Sequence, residues 1–256
     1  MMLDLLLLAC FAALAGFVDA VAGGGGLIQL PALLALCPRT DLPALFGTNK
    51  FAAIWGTAAA ARQYVRRVRL PWSTLVPAIV AALACSWLGA RTASHLPPEV
   101  LRPAVLVMLV LVALHTIARR DLGMVHAPRF ARGHERLVGF GAGATLGFYD
   151  GLFGPGTGTF LIFVFVRVLG FDFLHASACA KLVNVATNLA ALSYFAGHGH
   201  ILWLTAAVMA LANVAGALVG SRMAVARGSH FVRHLFLWVV AALIMKVALD
   251  TFRGTA

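Results

Sequence analysis

The chain reads as an all-α integral membrane protein, built from two homologous inverted repeats of about five helical segments each, with broken or re-entrant helices at Gly-rich loops. Three observations carry that expectation. Of the 256 residues, 61% are hydrophobic and 11% charged, against roughly 25% charged in a soluble domain, and mean hydropathy is +0.91. The apolar runs have helix length and lack the two-residue alternation of an outer-membrane strand, which argues against a β-barrel. Finally, a long motif occurs twice at one constant offset, without a gap. Gly16-Phe17-x-Asp19-x-x-x-Gly23-x-Gly25 returns as Gly147-Phe148-x-Asp150-x-x-x-Gly154-x-Gly156. At the same offset Lys50 returns as Lys181, Trp72 as Trp203, Gly89-x-Arg91 as Gly220-x-Arg222, and Arg102 as Arg233.

The segments follow in order. The first membrane repeat, 1–118, holds apolar runs at 5–22, 27–37, 42–61, 72–90 and 103–118. A basic linker, 119–136, carries five Arg against two acidic residues. The second repeat, 137–256, holds runs at 137–153, 159–169, 173–195, 201–219 and 231–249. The second run of each half is too short to span a bilayer, which takes about 20 residues, and each follows a Gly-rich break at 23–26 or 154–158. Irregular backbone is tolerated at membrane depth only where protein or a watery cavity surrounds it. Interrupted segments at matching positions of two halves point to a transport site between them. The N-terminal run resembles a signal peptide but lacks a basic n-region, and its Gly-rich end is part of the repeat, so it belongs to the fold.

The net charge of +11 follows from arginines in loops, as the positive-inside rule expects, rather than from nucleic-acid binding. Arg66-Arg67-Val68-Arg69 and the linker are expected on the cytoplasmic side. The counterpart of the first cluster is Gly197-His198-Gly199-His200, with no Lys or Arg. The bias alternates between halves, as an odd number of segments per repeat would produce, and both termini are then expected outside. Cys10, Cys37, Cys85 and Cys179 form no C-x-x-C pair and read as small core residues.

All three lysines, Lys50, Lys181 and Lys246, lie inside apolar runs. A cation at the bilayer centre costs about 2.5–3.5 kcal/mol, so it faces a cavity or a partner. Lys50 and Lys181 are therefore either anion-attracting groups near a pseudo-symmetry axis or halves of structural ion pairs with Asp19 and Asp150. The two aspartates serve either proton coupling or the capping of loop N–H groups. At the breaks, Gly24, Gly25, Gly156 and Thr157 supply backbone at the start of half-helices whose free N–H groups suit an oxyanion; tight helix packing is the bland alternative. The third runs add Thr48-Asn49-Lys50, and Lys181, Asn184 and Asn188 on one helix face beside Thr187. Asn213 and Tyr149 are weaker candidates. Arg91 and Arg222 read as snorkelling side chains, and His198 with His200 as a poor metal site. No nucleophilic triad, H-E-x-x-H or Walker pattern occurs, so no enzyme, cofactor or ATP-driven pump is expected.

On these motifs the chain resembles the TauE/SafE family of sulfite-exporter-like permeases, and within it the YfcA-type branch. The resemblance rests on 16–28 with Pro31 and Thr48-Asn49-Lys50, and on 147–158 with Lys181-Leu182-x-Asn184 and Asn188. It implies a multi-pass permease of the bacterial inner membrane that moves sulfur-containing anions such as sulfite, sulfoacetate or thiosulfate, coupled to an ion gradient. The half-sites are unequal, since Asn184 and Asn188 stand opposite Ala53 and Thr57 in the first repeat. The expected partners are a small anionic substrate and the bilayer, with a homodimer one open arrangement. Two other readings remain at this point: a proton or cation transporter centred on Asp19 and Asp150, and a non-transporting membrane assembly protein.

Overall fold

The computed structural model describes residues 2–97, 99–100 and 132–253. Eight helices fill these residues: α1 (Met2–Ala22), α2 (Gly26–Leu36), α3 (Leu42–Val65), α4 (Trp72–His95), α5 (Arg132–Leu152), α6 (Thr157–Arg167), α7 (Phe173–Gly197) and α8 (Trp203–Arg253). No strand occurs among the described residues. The expected segment at 103–118 and the linker up to 131 lie outside them. Residues 132–136, expected as linker, form the start of α5. The stretch labelled α8 is two helices parted at Gly228, whose φ of 69° and ψ of −167° are not helical, in keeping with the two runs expected at 201–219 and 231–249.

Met2–Ala22, Trp72–His95 and a Trp203–Val232 portion of α8 are each long and apolar enough to cross a membrane. At about 1.5 Å per residue, the 21 residues of α1 match a hydrocarbon core of about 30 Å. All five tryptophans are more than a third exposed (Trp55, Trp72, Trp87, Trp203 and Trp238), as an amphipathic ring at a lipid surface would be. Of the four cysteines only Cys179 is buried; Cys10 is exposed and the other two are half-buried, so the expectation of four core thiols does not hold.

The helices start where local chemistry lets them. Asp41 caps α3 by accepting from the Ala44 N–H at 3.1 Å. At the repeat-related position, Asp172 caps α7 by accepting from the N–H groups of Leu174 and His175 at 2.8 and 3.0 Å. These carboxylates satisfy first-turn donors that the helix itself cannot.

Packing couples the halves. α1 lies along α8, α4 lies along α5, and α3 touches both α7 and α8 while α4 touches α7. Exchanging α1–α4 for α5–α8 turns these contacts into one another. The closest seam is a row of glycines on α5, with Gly139, Gly143, Gly147 and Gly151 set against Thr74, Ala78, Ala82 and Ser86 of α4. A methyl group added at Gly143 would collide with the Ala78 carbonyl. Lipid tails are as apolar as leucine, so such helices associate through close backbone approach rather than a hydrophobic drive. The repeat-related Gly89 and Gly220 do the same job twice: Gly89 backs onto the Phe148 carbonyl and Gly220 onto the Phe17 carbonyl.

α2 and α6 have 11 residues each, close to the two short runs expected. Each is wrapped by its own apolar cluster. One gathers Leu161, Ile162 and Phe165 of α6 with Tyr64, Leu75 and Cys179; the other gathers Leu30 and Leu33 of α2 with Leu8, Phe46, Phe195 and Met209. Thus both half-helices are buried in protein, which is the condition for ending a helix at membrane depth.

Candidate functional site

The two Gly-rich breaks meet. Gly23 (φ 75°) and Gly24 (φ 86°) precede α2, and Gly154 (φ 87°) and Gly156 (φ 82°) precede α6. These left-handed values suit glycine alone among common residues. A Cβ at Gly23 would press on the Thr159 nitrogen at 2.5 Å, and one at Gly24 on Thr159 Oγ1 at 2.8 Å. So the start of each half-helix sits against the other, one or two residues earlier than the apolar pattern alone indicates: α2 opens at Gly26 rather than Leu27, and α6 at Thr157 rather than Thr159. The Tyr149 hydroxyl fastens the second break by donating to the Pro155 carbonyl at 2.6 Å.

Around this junction stand two buried ion pairs, and each joins one half to the other. Lys50 Nζ of α3 lies 2.7 Å from Asp150 Oδ2 at the end of α5. Lys181 Nζ of α7 lies 2.9 Å from Asp19 Oδ2 at the end of α1. The Lys50 contact is close but poorly aligned as a hydrogen bond, and it is best described as a charge pair. Lys50, Lys181 and Asp150 are nearly inaccessible. Asp19 also accepts from the Gly25 N–H at 3.4 Å and from Thr57 Oγ1 at 3.3 Å. It therefore caps its break and holds a lysine at once. Removing one member of such a pair strands a buried charge at a cost of about 3–5 kcal/mol.

A cavity of about 30 Å³ opens beside the pairs, on the order of two water molecules by the same measure. Its wall includes Asp19, Gly24, Gly25, Asn49, Lys50, Asp150, Gly156, Thr157, Asn184 and Asn188. Two expected residues do not reach it. Lys181 is fully buried behind Asp19. Thr48 donates to the Ala44 carbonyl at 2.7 Å and accepts from the Leu202 N–H at 2.9 Å, a fastening between α3 and the start of α8. On α7 the amides bond to one another: Asn188 Nδ2 donates to Asn184 Oδ1 at 3.4 Å, and Thr187 Oγ1 donates to the same oxygen at 3.2 Å. Arg91 and Arg222 are exposed, and His198 stacks on Tyr194 and beside His200 near the end of α7. No metal-ligating group of three is found among the described residues. The side chain of Lys246 lies outside them.

The lining contains residues that the repeat does not flag. Gln29 and Asn213 have Phe160 and Ala82 at the related positions, and Thr57 stands opposite Asn188. Gln29 is the only polar side chain in α2. A lone amide in a buried apolar half-helix was a usable signal, because intramembrane polar groups are costly and mark function. Gln29 Nε2 and Asn49 Oδ1 are buried without a hydrogen-bond partner.

A family model described as Sulfite exporter TauE/SafE matches residues 8–247. The chain belongs to the TauE/SafE family. Curated TauE/SafE-like relatives agree along their length. A probable membrane transporter protein, ORF9, of Sinorhizobium sp is 35% identical over 243 residues, covering 93% of this chain and 89% of the relative. The probable membrane transporter protein YfcA of Escherichia coli K12 is 33% identical over 242 residues, covering 94% and 88%. A probable membrane transporter protein of Haemophilus influenzae is 32% identical over 251 residues, covering 97% and 96%. No solved structure matches. The TauE/SafE assignment makes this a membrane protein of a transporter family rather than an enzyme.

Proposed function

We propose that the protein is a secondary transporter of a small oxyanion, sulfur-containing as in the description of its family, which binds at the junction of the two breaks. One observation carries the reading: both carboxylates are paired with lysine, so the side chains at the junction sum to zero charge, while two half-helices present their N-termini to it. Each N-terminus is equivalent to about half a positive charge, so the junction as a whole suits a single negative charge. First-turn N–H groups at Gly26 and Gly158, two residues of the cavity wall, have no carbonyl available within their own helices. A cation would meet lysines and dipole ends of its own sign, which disfavours the reading centred on Asp19 and Asp150 as cation ligands.

The cavity is small, so sulfoacetate needs the junction to widen, whereas sulfite needs little. Alternating access by motion of the halves about this junction fits the inverted repeats that the loop charge suggests. When an anion competes for Lys50, the released Asp150 carboxylate is left charged in a dry place. Protonating it restores neutrality, which is the physical route to proton coupling.

Flux in proteoliposomes tests the proposal. Sulfite and sulfoacetate uptake are measured with and without a proton gradient, in the native chain and in the double variant Lys50→Gln with Asp150→Asn. Native flux lost in the double variant supports the site. Flux of metal cations, blocked by Asp→Asn but tolerant of Lys→Gln, would overturn it.

A further inference from the structure

Gln29 has an unmet donor at the junction, and its amide direction is fixed. Asn213 Nδ2 donates to the Ala12 carbonyl at 3.2 Å and to Gln29 Oε1 at 3.3 Å. The Ala12 carbonyl accepts only, so Asn213 turns its NH2 group toward it, and Gln29 turns its oxygen toward Asn213. The Gln29 NH2 group is thereby aimed into the cavity wall, where Nε2 finds no partner. Gln29 is 1% exposed and Asn213 3%. An unmet donor in such a place carries a desolvation cost that only an incoming acceptor relieves. Asn49 has no such anchor, and its Oδ1 is buried without a partner.

We infer that Gln29 is a specificity-determining residue: it selects an oxyanion over a spherical anion of the same charge, with Asn213 positioning it. The inference rests on the anion reading above. An ammonium group or a helix N-terminus attracts any anion, because charge and dipole act with little demand on shape. An amide N–H is directional and wants a lone pair near 2.9 Å. A halide satisfies one donor set from one point. An oxyanion carries separate oxygens, so one engages the half-helix N–H groups while another meets Gln29 Nε2. The related position in the second repeat is Phe160, so the contact exists on one side only and draws the ligand off the pseudo-two-fold axis. Sites built to bond a specific polar atom discriminate strongly against ligands that lack it.

The test is anion binding to the purified full chain, by calorimetry in detergent, with sulfite, nitrate and chloride as probes. Gln29→Leu removes the donor and leaves Asn213 bonded to Ala12. Gln29→Glu keeps the shape and the Asn213 contact but replaces the donor with an acceptor. Both variants are expected to lower sulfite and nitrate affinity about ten- to a hundred-fold and to leave chloride within about two-fold for Gln29→Leu. Asn213→Leu, which frees the amide to turn, is expected to lower oxyanion affinity by a smaller factor. Oxyanion affinity unchanged in both Gln29 variants overturns the inference while leaving the anion site standing. So does an equal loss for nitrate and chloride in Gln29→Leu, which would mark a structural role. A native chain that binds none of the three anions overturns the anion reading itself.

Discussion

The Lys50–Asp150 pair gives a sharp test of whether the buried charges hold the fold, the substrate or both. Lys50→Gln strands a carboxylate whose side chain is 3% exposed, and Asp150→Asn strands an ammonium at 4%. Each single variant is expected to lose about 3–5 kcal/mol. The double variant replaces the pair with two amides of similar size that can bond to each other, and is expected to recover most of that loss. A double-mutant cycle should then return a coupling energy above about 3 kcal/mol, the upper end of what neighbouring residues show, read as a melting temperature that falls in the singles and returns in the double. At about 2–4 °C per kcal/mol for a chain of this length, the singles sit roughly 10 °C low. Transport behaves differently. A stable double variant without flux assigns the charges to substrate handling. A double variant that transports normally refutes that role, and additive losses in the cycle refute the pairing itself.

Further expectations follow from geometry. Gly143→Ala should cost about 1–3 kcal/mol by forcing α4 off α5, whereas Gly141→Ala, one step around the same helix with open space beside it, should be neutral or stabilising by up to about 1 kcal/mol; equal melting temperatures would deny the close seam. Thr48→Ala should lower stability by about 1 kcal/mol through the lost Leu202 contact and leave sulfite affinity unchanged, and a loss of affinity would put Thr48 back in the site. Burial pushes the Asp172 carboxyl up, but the His175 N–H, the Ser229 hydroxyl and the His175 ring together hold it below the ordinary carboxylate range. A depressed value stabilises the fold above the unfolded carboxyl's pKa, near 4, and the benefit fades as pH falls through the folded value. Asp172→Asn should therefore melt below the native chain at pH 7 and converge with it toward pH 3; a constant gap would refute the linkage.

Most of the fold was legible because membrane burial and duplication leave strong marks. The two 11-residue half-helices and the paired third runs stand out from length and repeat alone. The helix starts shifted by one or two residues, since left-handed glycines set them and apolar pattern does not. Lys50 and Lys181 were found because both halves carry them, but pairing across the halves is a property of three dimensions, and sequence left ligand attraction and ion pairing open. Repeat logic has a blind side. It selects residues that occur twice, so it passed over Gln29 and ranked Asn213 low, since each occurs once. Adjacency misled in another way: Thr48 was put forward for standing beside Asn49 and Lys50, although one residue's step along a helix turned it toward Leu202. Of the glycine row of α5 only Gly147 and Gly151 fell within the repeated motif, and the row as a seam went unread, because its meaning depends on Thr74, Ala78, Ala82 and Ser86 facing it.

The crossed pairs also set the order in which the chain can be completed. Asp19 waits for Lys181, 162 residues later, and Lys50 waits for Asp150. At about 5–20 residues per second, Asp19 spends on the order of ten seconds inside or beside the membrane before its partner is made. An unpartnered carboxylate there is held as the neutral acid or kept in contact with water. Neither half can be finished alone, and a half severed from the other carries one lysine and one aspartate that its own packing leaves apart.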